Sequence, residues 1–177
     1  MGRAGPLIVC LDTSGSMMGE RELWSKALVV ECVRQAHRQK RLCYLYAFSG
    51  PGDLQELELD MSPRGLNEVM DFLQNSFGGG TCLEDALKAA AERLQLESYA
   101  SADLLVVTDG ELVAQRIGAE ALEAARQNGT KIFGLVLNEE STELMEELCD
   151  ELYVTRKMSE KGFPKLMRPK ARPKAKA

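Results

Sequence analysis

Short unbroken apolar runs alternate along this chain with stretches in which apolar residues recur every three or four positions. Leu7 to Leu11 is five consecutive apolar residues between Pro6 and a polar turn, which predicts a strand buried on both faces. Over residues 20 to 40, Leu23, Ala27, Val30, Val33 and Ala36 fall at helical spacing, with Trp24 and Leu28 widening the stripe. This reading makes Trp24 part of the core. Leu42 to Phe48 is a second buried strand, ended by the break at Ser49-Gly50-Pro51-Gly52. The mixed apolar and acidic stretch 54 to 60 follows after so short a connection that it pairs antiparallel with its predecessor, at a sheet edge.

The alternation continues to the end of the body. Ser62-Pro63 starts a second helix whose inward residues are Leu66, Val69, Met70 and Leu73. Leu83 to Leu96 is a third helix and Ala102 to Thr108 a buried strand, followed by a helix from about Ala114 to Gln127. A strand from Lys131 to Leu137, a short helix from Thr142 to Cys149 and a last strand from Leu152 to Thr155 complete the pattern. Nearly continuous apolar strands separated by helices indicate an α/β protein of the doubly wound class. The expected architecture is a mainly parallel six-stranded sheet with one antiparallel edge strand and helices on both faces. In such sheets ligands sit outside the carboxyl ends of the strands, where the strand order reverses.

Composition changes this picture in two places. At 177 residues the chain is long enough to bury a core as one domain. No run approaches a membrane span and no secretory signal is visible, so a cytoplasmic location is expected. The five cysteines are scattered and odd in number, which reads as reduced thiols, mostly buried. The net charge of −5 hides a division: nine Lys or Arg beyond residue 155 face only Glu160, so the tail carries +8 and the body −13. The expected domains are therefore a folded body, residues 1–155, and a basic, Pro- and Lys-rich solvated tail, residues 156–177. An acidic body argues against nucleic-acid binding by the folded part.

Three loops carry the candidate chemistry. Asp12, Ser14 and Ser16 follow the first strand, Thr81 follows Gly78-Gly79-Gly80, and Asp109 follows the strand ending at Thr108. All three can converge on one rim of the sheet. Two carboxylates and three hydroxyls, with no thiolate or imidazole, form a hard oxygen set suited to Mg²⁺ or Mn²⁺ rather than zinc. Two carboxylates also nearly balance one divalent ion, which would keep electrophilic character towards an acidic side chain from a partner.

Asp12-Thr-Ser-Gly-Ser16, Thr81 in Gly-Gly-Gly-Thr and Asp109 in Thr-Asp-Gly together resemble the metal-ion-dependent adhesion site of von Willebrand factor A (VWA) domains. The three motifs occur in the family's order over residues 7 to 155. The resemblance implies that Ser14, Ser16 and Thr81 are hydroxyl ligands, and that Asp12 and Asp109 act directly or through water. Ile8 to Met17, Arg41-Leu-Cys-Tyr44 and the Phe48-Ser49 ending look more narrowly like the bacterial ViaA/CoxE-type A domains, which work with MoxR-type AAA+ ATPases. That implies a partner of this kind, or its client, and a chain lacking the large N-terminal region usual there. The sequence departs from the family pattern at Cys82, where Asp is frequent, which removes an acceptor behind the ligands.

Other chemistries fare worse. The lone histidine, His37, lies late in the first helix, more than about six turns from Asp12 in a regular helix, too far for a Ser-His-Asp triad. Ser14 stands where a nucleophile elbow needs glycine, and Gly78 to Thr81 lacks the Gly-Lys-Ser/Thr of a phosphate-binding loop. Glu84, Asp85 and Glu111 read as first-turn helix acids. Met17 and Met18 read as core cover, with a partner-facing role as the alternative. The sequence thus points to a non-enzymatic binding module. Two alternatives remain open: a Mg²⁺-dependent phosphoryl-transfer hydrolase using the same rim, and a metal-free scaffold that binds through its basic tail.

Overall fold

The computed structural model describes residues 5–75, 78–110, 119–138 and 142–154. Six strands form one sheet: β1 (Leu7–Asp12), β2 (Cys43–Phe48), β3 (Leu54–Glu58), β4 (Asp103–Thr108), β5 (Ile132–Val136) and β6 (Glu151–Val154). Their spatial order is β3-β2-β1-β4-β5-β6. Among the described residues only the β2–β3 pair is antiparallel, with Phe48 opposite Leu54, and β3 lies at the edge. The sheet is the doubly wound one that the apolar runs predict. The helices are α1 (Glu20–Arg38), α2 (Gly65–Leu73), α3 (Leu83–Leu94), α4 (Ala119–Gln127) and α5 (Glu143–Leu148). Short 3₁₀ turns add Gly15–Met17 and Glu97–Tyr99.

Period-two alternation along each strand divides the core into two layers. Ile8 and Cys10 of β1, with Leu104 and Val106 of β4, pack beneath α3, α4 and α5 through Leu83, Leu87, Leu122 and Met145. Leu7, Val9 and Leu11, with Leu105 and Val107, pack against α1 and α2 through Leu28, Val33 and Val69. Both faces of the central strands are therefore covered, which is why they read as unbroken apolar runs. β1 is flanked by β2 and β4, and the chain winds outward from it in one direction and then the other. That reversal places the carboxyl ends of β1 and β4 side by side.

The inward face of α1 differs from the expected stripe. Its buried residues are Ser25, Leu28, Val29, Cys32, Val33 and Ala36. Leu23 and Trp24 stand 72% and 70% exposed, so Trp24 is not core. The misleading residue is Ser25, a polar side chain in an inward position. Its hydroxyl donates to the carbonyl of Glu22 at 2.9 Å, which satisfies it without water. Met70 of α2 is likewise exposed. Met17 and Met18 divide between the two roles open to them, Met17 buried and Met18 66% exposed.

The start of the helix expected from Ala114, together with Glu111 and the tail 156–177, lies outside the described residues. Among the described residues no helix is long and apolar enough to cross a membrane.

Candidate functional site

Asp12 is the last residue of β1, and the chain leaves the sheet there because β1 has no apolar residue left to bury. Its side chain stays inside, 1% exposed, with each oxygen in use. Oδ1 accepts from the backbone N–H of Ser14 at 2.9 Å, an Asx-type turn that reverses the chain. Oδ2 accepts from the Thr108 hydroxyl at 2.7 Å. Burial raises the pKa of Asp12 above its ordinary 3.8; the hydrogen bonds from Ser14 and Thr108 pull it down, and the charge of Asp109 adds to the rise.

The loop after Asp12 is fixed by its neighbours. Thr13 bonds the carbonyl of Phe48, at the end of β2, through both its backbone N–H (2.8 Å) and its hydroxyl (3.0 Å). Ser14 and Ser16 then turn their hydroxyls towards one another, 3.1 Å apart. Ser14 is buried and Ser16 half-buried.

The glycine loop docks directly on this turn. Gly15 N–H donates to the Gly79 carbonyl at 3.1 Å, and Gly78 N–H to the Thr13 carbonyl at 3.3 Å. Gly78 and Gly79 have φ of +62° and +92°, a region that side chains disfavour, so two of the three glycines are required by the backbone. Cys82 N–H donates to the Ser49 carbonyl, which ties the far end of the loop to β2. Thr81 is thereby held half-buried beside the Asp12 turn, two residues beyond the Gly79 contact. Cys82 is buried at the N-cap of α3 and brings no carboxylate to the loop. Glu84 and Asp85 are first-turn acids of α3 as expected: Glu84 pairs with Lys88, and Asp85 Oδ2 accepts from Gly52 N–H at 3.0 Å.

Asp109 immediately follows β4 and its side chain is fully buried. Arg21 of α1 reaches across with Nη1 3.3 Å from Asp109 Oδ2 and 3.3 Å from the Ser16 carbonyl oxygen. The structure thus gathers Asp12, Ser14, Ser16 and Asp109 at the point where the strand order reverses, with the Thr81 loop bonded to the same turn. His37 is at the other end of α1, with Nε2 3.1 Å from the Ser62 carbonyl oxygen.

Two participants escape a reading of the sequence. Thr108 looks like an ordinary strand residue, and only the pairing of β1 with β4 points its hydroxyl at Asp12. It also accepts from Gly110 N–H at 3.1 Å, fixing the turn that carries Asp109. Arg21 looks like a surface residue of an amphipathic helix, and nothing in its spacing signals a carboxylate 88 positions away.

The donor set is one of hydroxyls and two buried carboxylates. Among the described residues no group of three or more His, Cys, Asp and Glu side chains gathers as a metal cluster would. The donor chemistry fits a hard cation of Mg²⁺ type better than zinc. Each carboxylate oxygen of Asp12 has acceptor capacity left beyond its present hydrogen bond.

The family model of the von Willebrand factor type A domain matches residues 7–111, which contain all five candidate residues. Among solved structures, BatB from Bacteroides thetaiotaomicron superposes with a TM-score of 0.61 at 19% identity, covering 85% of this chain and 89% of that one. The VWA domain of SpRpn10 gives 0.68 at 14% identity, covering 85% and 87%. An aerotolerance-related membrane protein from Bacteroides fragilis gives 0.57 at 20% identity, covering 75% and 67%. At these identities the likeness is one of fold.

Proposed function

The chain belongs to the von Willebrand factor type A family, and on that premise we propose that it is a divalent-cation-dependent binding module that captures a carboxylate from a protein partner. VWA domains are generally protein-interaction modules. The observation that carries the reading is the pair of buried carboxylates, Asp12 and Asp109, at the carboxyl ends of adjacent parallel strands beside two facing serine hydroxyls. Two acids kept out of water at one rim favour positive charge beside them, and Arg21 supplies one unit of it.

In this reading Ser14, Ser16 and Thr81 supply hydroxyl oxygens to Mg²⁺ or Mn²⁺, and Asp12 and Asp109 supply the negative charge. When bound, the ion offers a Lewis-acidic position to an Asp or Glu side chain from outside. The chain's own residues do the rest. Thr108 and the Ser14 N–H orient the Asp12 carboxylate, and the Gly78–Gly79 backbone carries the Thr81 loop against Gly15. The exposed Met18 stands next to the turn, available to a partner.

The partner class is a MoxR-type AAA+ ATPase or its client, and the support for it is the ViaA/CoxE-like sequence of β1 and β2. A cytoplasmic location belongs to the same reading. With the one imidazole committed to Ser62 at the far end of α1, no general base of that kind stands at the rim, which favours binding over hydrolysis.

Calorimetric titration with Mg²⁺ and Mn²⁺ tests the site on the native chain, Asp12→Ala and Ser14→Ala. The native chain is expected to give saturable heat that both variants lose. Equal heat in all three proteins would sink the proposed ligand set.

A further inference from the structure

Arg21 is a cationic side chain that reaches into this site from α1, and it holds two of its parts at once. Nη1 lies 3.3 Å from Asp109 Oδ2 and 3.3 Å from the carbonyl oxygen of Ser16, so it bridges the end of β4 to the turn after β1. The carboxylate it touches is fully buried, whereas the Arg21 side chain keeps 38% of its exposure. The charge therefore comes from the solvent side, on a long flexible stem. Two other cations near the rim elements are engaged elsewhere: Lys26 pairs with Glu22, and Lys88 with Glu84.

We propose that Arg21 is the resident cation of this site and sets its valence threshold: a divalent ion displaces the guanidinium from Asp109, and a monovalent ion does not. The proposal rests on the cation-site reading above. Asp12 and Asp109 together carry two negative charges, and the guanidinium cancels one of them. Sodium or potassium in its place would leave the same net charge, lose the hydrogen bonds to Asp109 and Ser16, and add the cost of stripping water from the ion. A divalent ion instead brings the pair to neutrality, a gain large enough to offset those losses in a buried setting.

The exit is physically easy. An arginine cannot discharge itself by losing a proton, so it must swing away rather than neutralise. Its exposure lets the guanidinium pass directly into water while the stem stays along α1.

The test compares the full chain with Arg21→Gln by calorimetric titration with MgCl₂, in choline chloride and in NaCl of equal ionic strength. In choline chloride, Arg21→Gln is expected to bind Mg²⁺ about five- to tenfold more tightly than the native chain, the scale of a partly exposed ion pair. Replacing choline by sodium should leave the native affinity unchanged and weaken that of Arg21→Gln, because only the variant lets Na⁺ compete. Thermal melts supply a third reading: Arg21→Gln should melt below the native chain in chelator and level with it in saturating Mg²⁺. Arg21→Met, neutral and of similar length, repeats the series should Gln disturb α1. If the native chain binds Mg²⁺ and neither neutral variant binds it more tightly, the proposal is overturned while the cation site stands. Absence of Mg²⁺ heat from all three proteins overturns both.

Discussion

The hydroxyl of Thr108, the last residue of β4, donates to Oδ2 of Asp12, the last residue of β1, across 2.7 Å. This bond closes the sheet where its strand order reverses and aims one carboxylate at the rim.

Thr108→Val keeps the shape of the side chain and removes the hydroxyl. It leaves a buried carboxylate oxygen without its donor and Gly110 N–H without its acceptor. Stability is expected to fall by about 1–3 kcal/mol and Mg²⁺ affinity by roughly tenfold or more. Urea unfolding and calorimetry measure the two effects, and Thr108→Ser should recover most of both. Native-like Mg²⁺ affinity in Thr108→Val would show that Asp12 is oriented by other means.

Asp12 links stability to pH in the chelated protein. Burial lifts its folded-state pKa above the ordinary 3.8, so the fold favours the protonated acid. Its contribution to stability is full below the ordinary value and is lost as pH rises through the raised one. Asp12→Asn is neutral throughout, can keep Oδ1 on the Ser14 N–H, and can turn its amide to Thr108. In chelator at pH 7 the variant should be more stable than the native chain, by a margin that shrinks as the pH falls towards the ordinary carboxylate value. With Mg²⁺ the order reverses, because only the native chain gains from the ion. Denaturant melts at pH 7 and at lower pH, with and without Mg²⁺, measure this.

Gly79→Ala and Gly80→Ala separate the needs of the glycine loop. Gly79 has φ +92°, so an alanine there strains the backbone that bonds Gly15, at about 1–2 kcal/mol. A Cβ on Gly80 would meet nothing closer than Gly50 Cα at 3.9 Å. Gly79→Ala is expected to lower Mg²⁺ affinity and Gly80→Ala to leave it near native. Equal effects at the two positions would contradict the loop geometry.

The thiols give a reading of the core. Cys10, Cys32 and Cys43 are buried, and burial pushes each thiol up to about 12. At pH 8 very little thiolate is present at these positions, and access is blocked as well. A thiol reagent followed by peptide mass spectrometry should leave all three unlabelled in the native chain and label them in denaturant. Rapid native labelling of any one would mean that its side of the sheet opens.

Much of the protein was legible in one dimension because the relevant signals are local. Continuous apolar runs mark strands covered on both faces, and the acidic end of Leu54–Glu58 marks an edge that must tolerate water. Asp12, Ser14, Ser16, Thr81 and Asp109 were visible as polar residues placed where strands or glycine turns end. The phase of α1 was not legible, because Leu23 and Trp24 continue an apolar stripe that competes with the buried one, and Ser25 conceals its inward position by bonding its own helix.

What the sequence by itself determined is the inventory: six strands, the helices between them, and three loops of hard oxygen donors. Which donors meet is decided by strand order. β1 and β4 are neighbours although more than ninety residues separate Asp12 from Thr108, and neither that pairing nor the reach of Arg21 to Asp109 has a local signature. Tertiary packing settles both, since a buried carboxylate accepts whichever donors and charges the folded chain brings within reach.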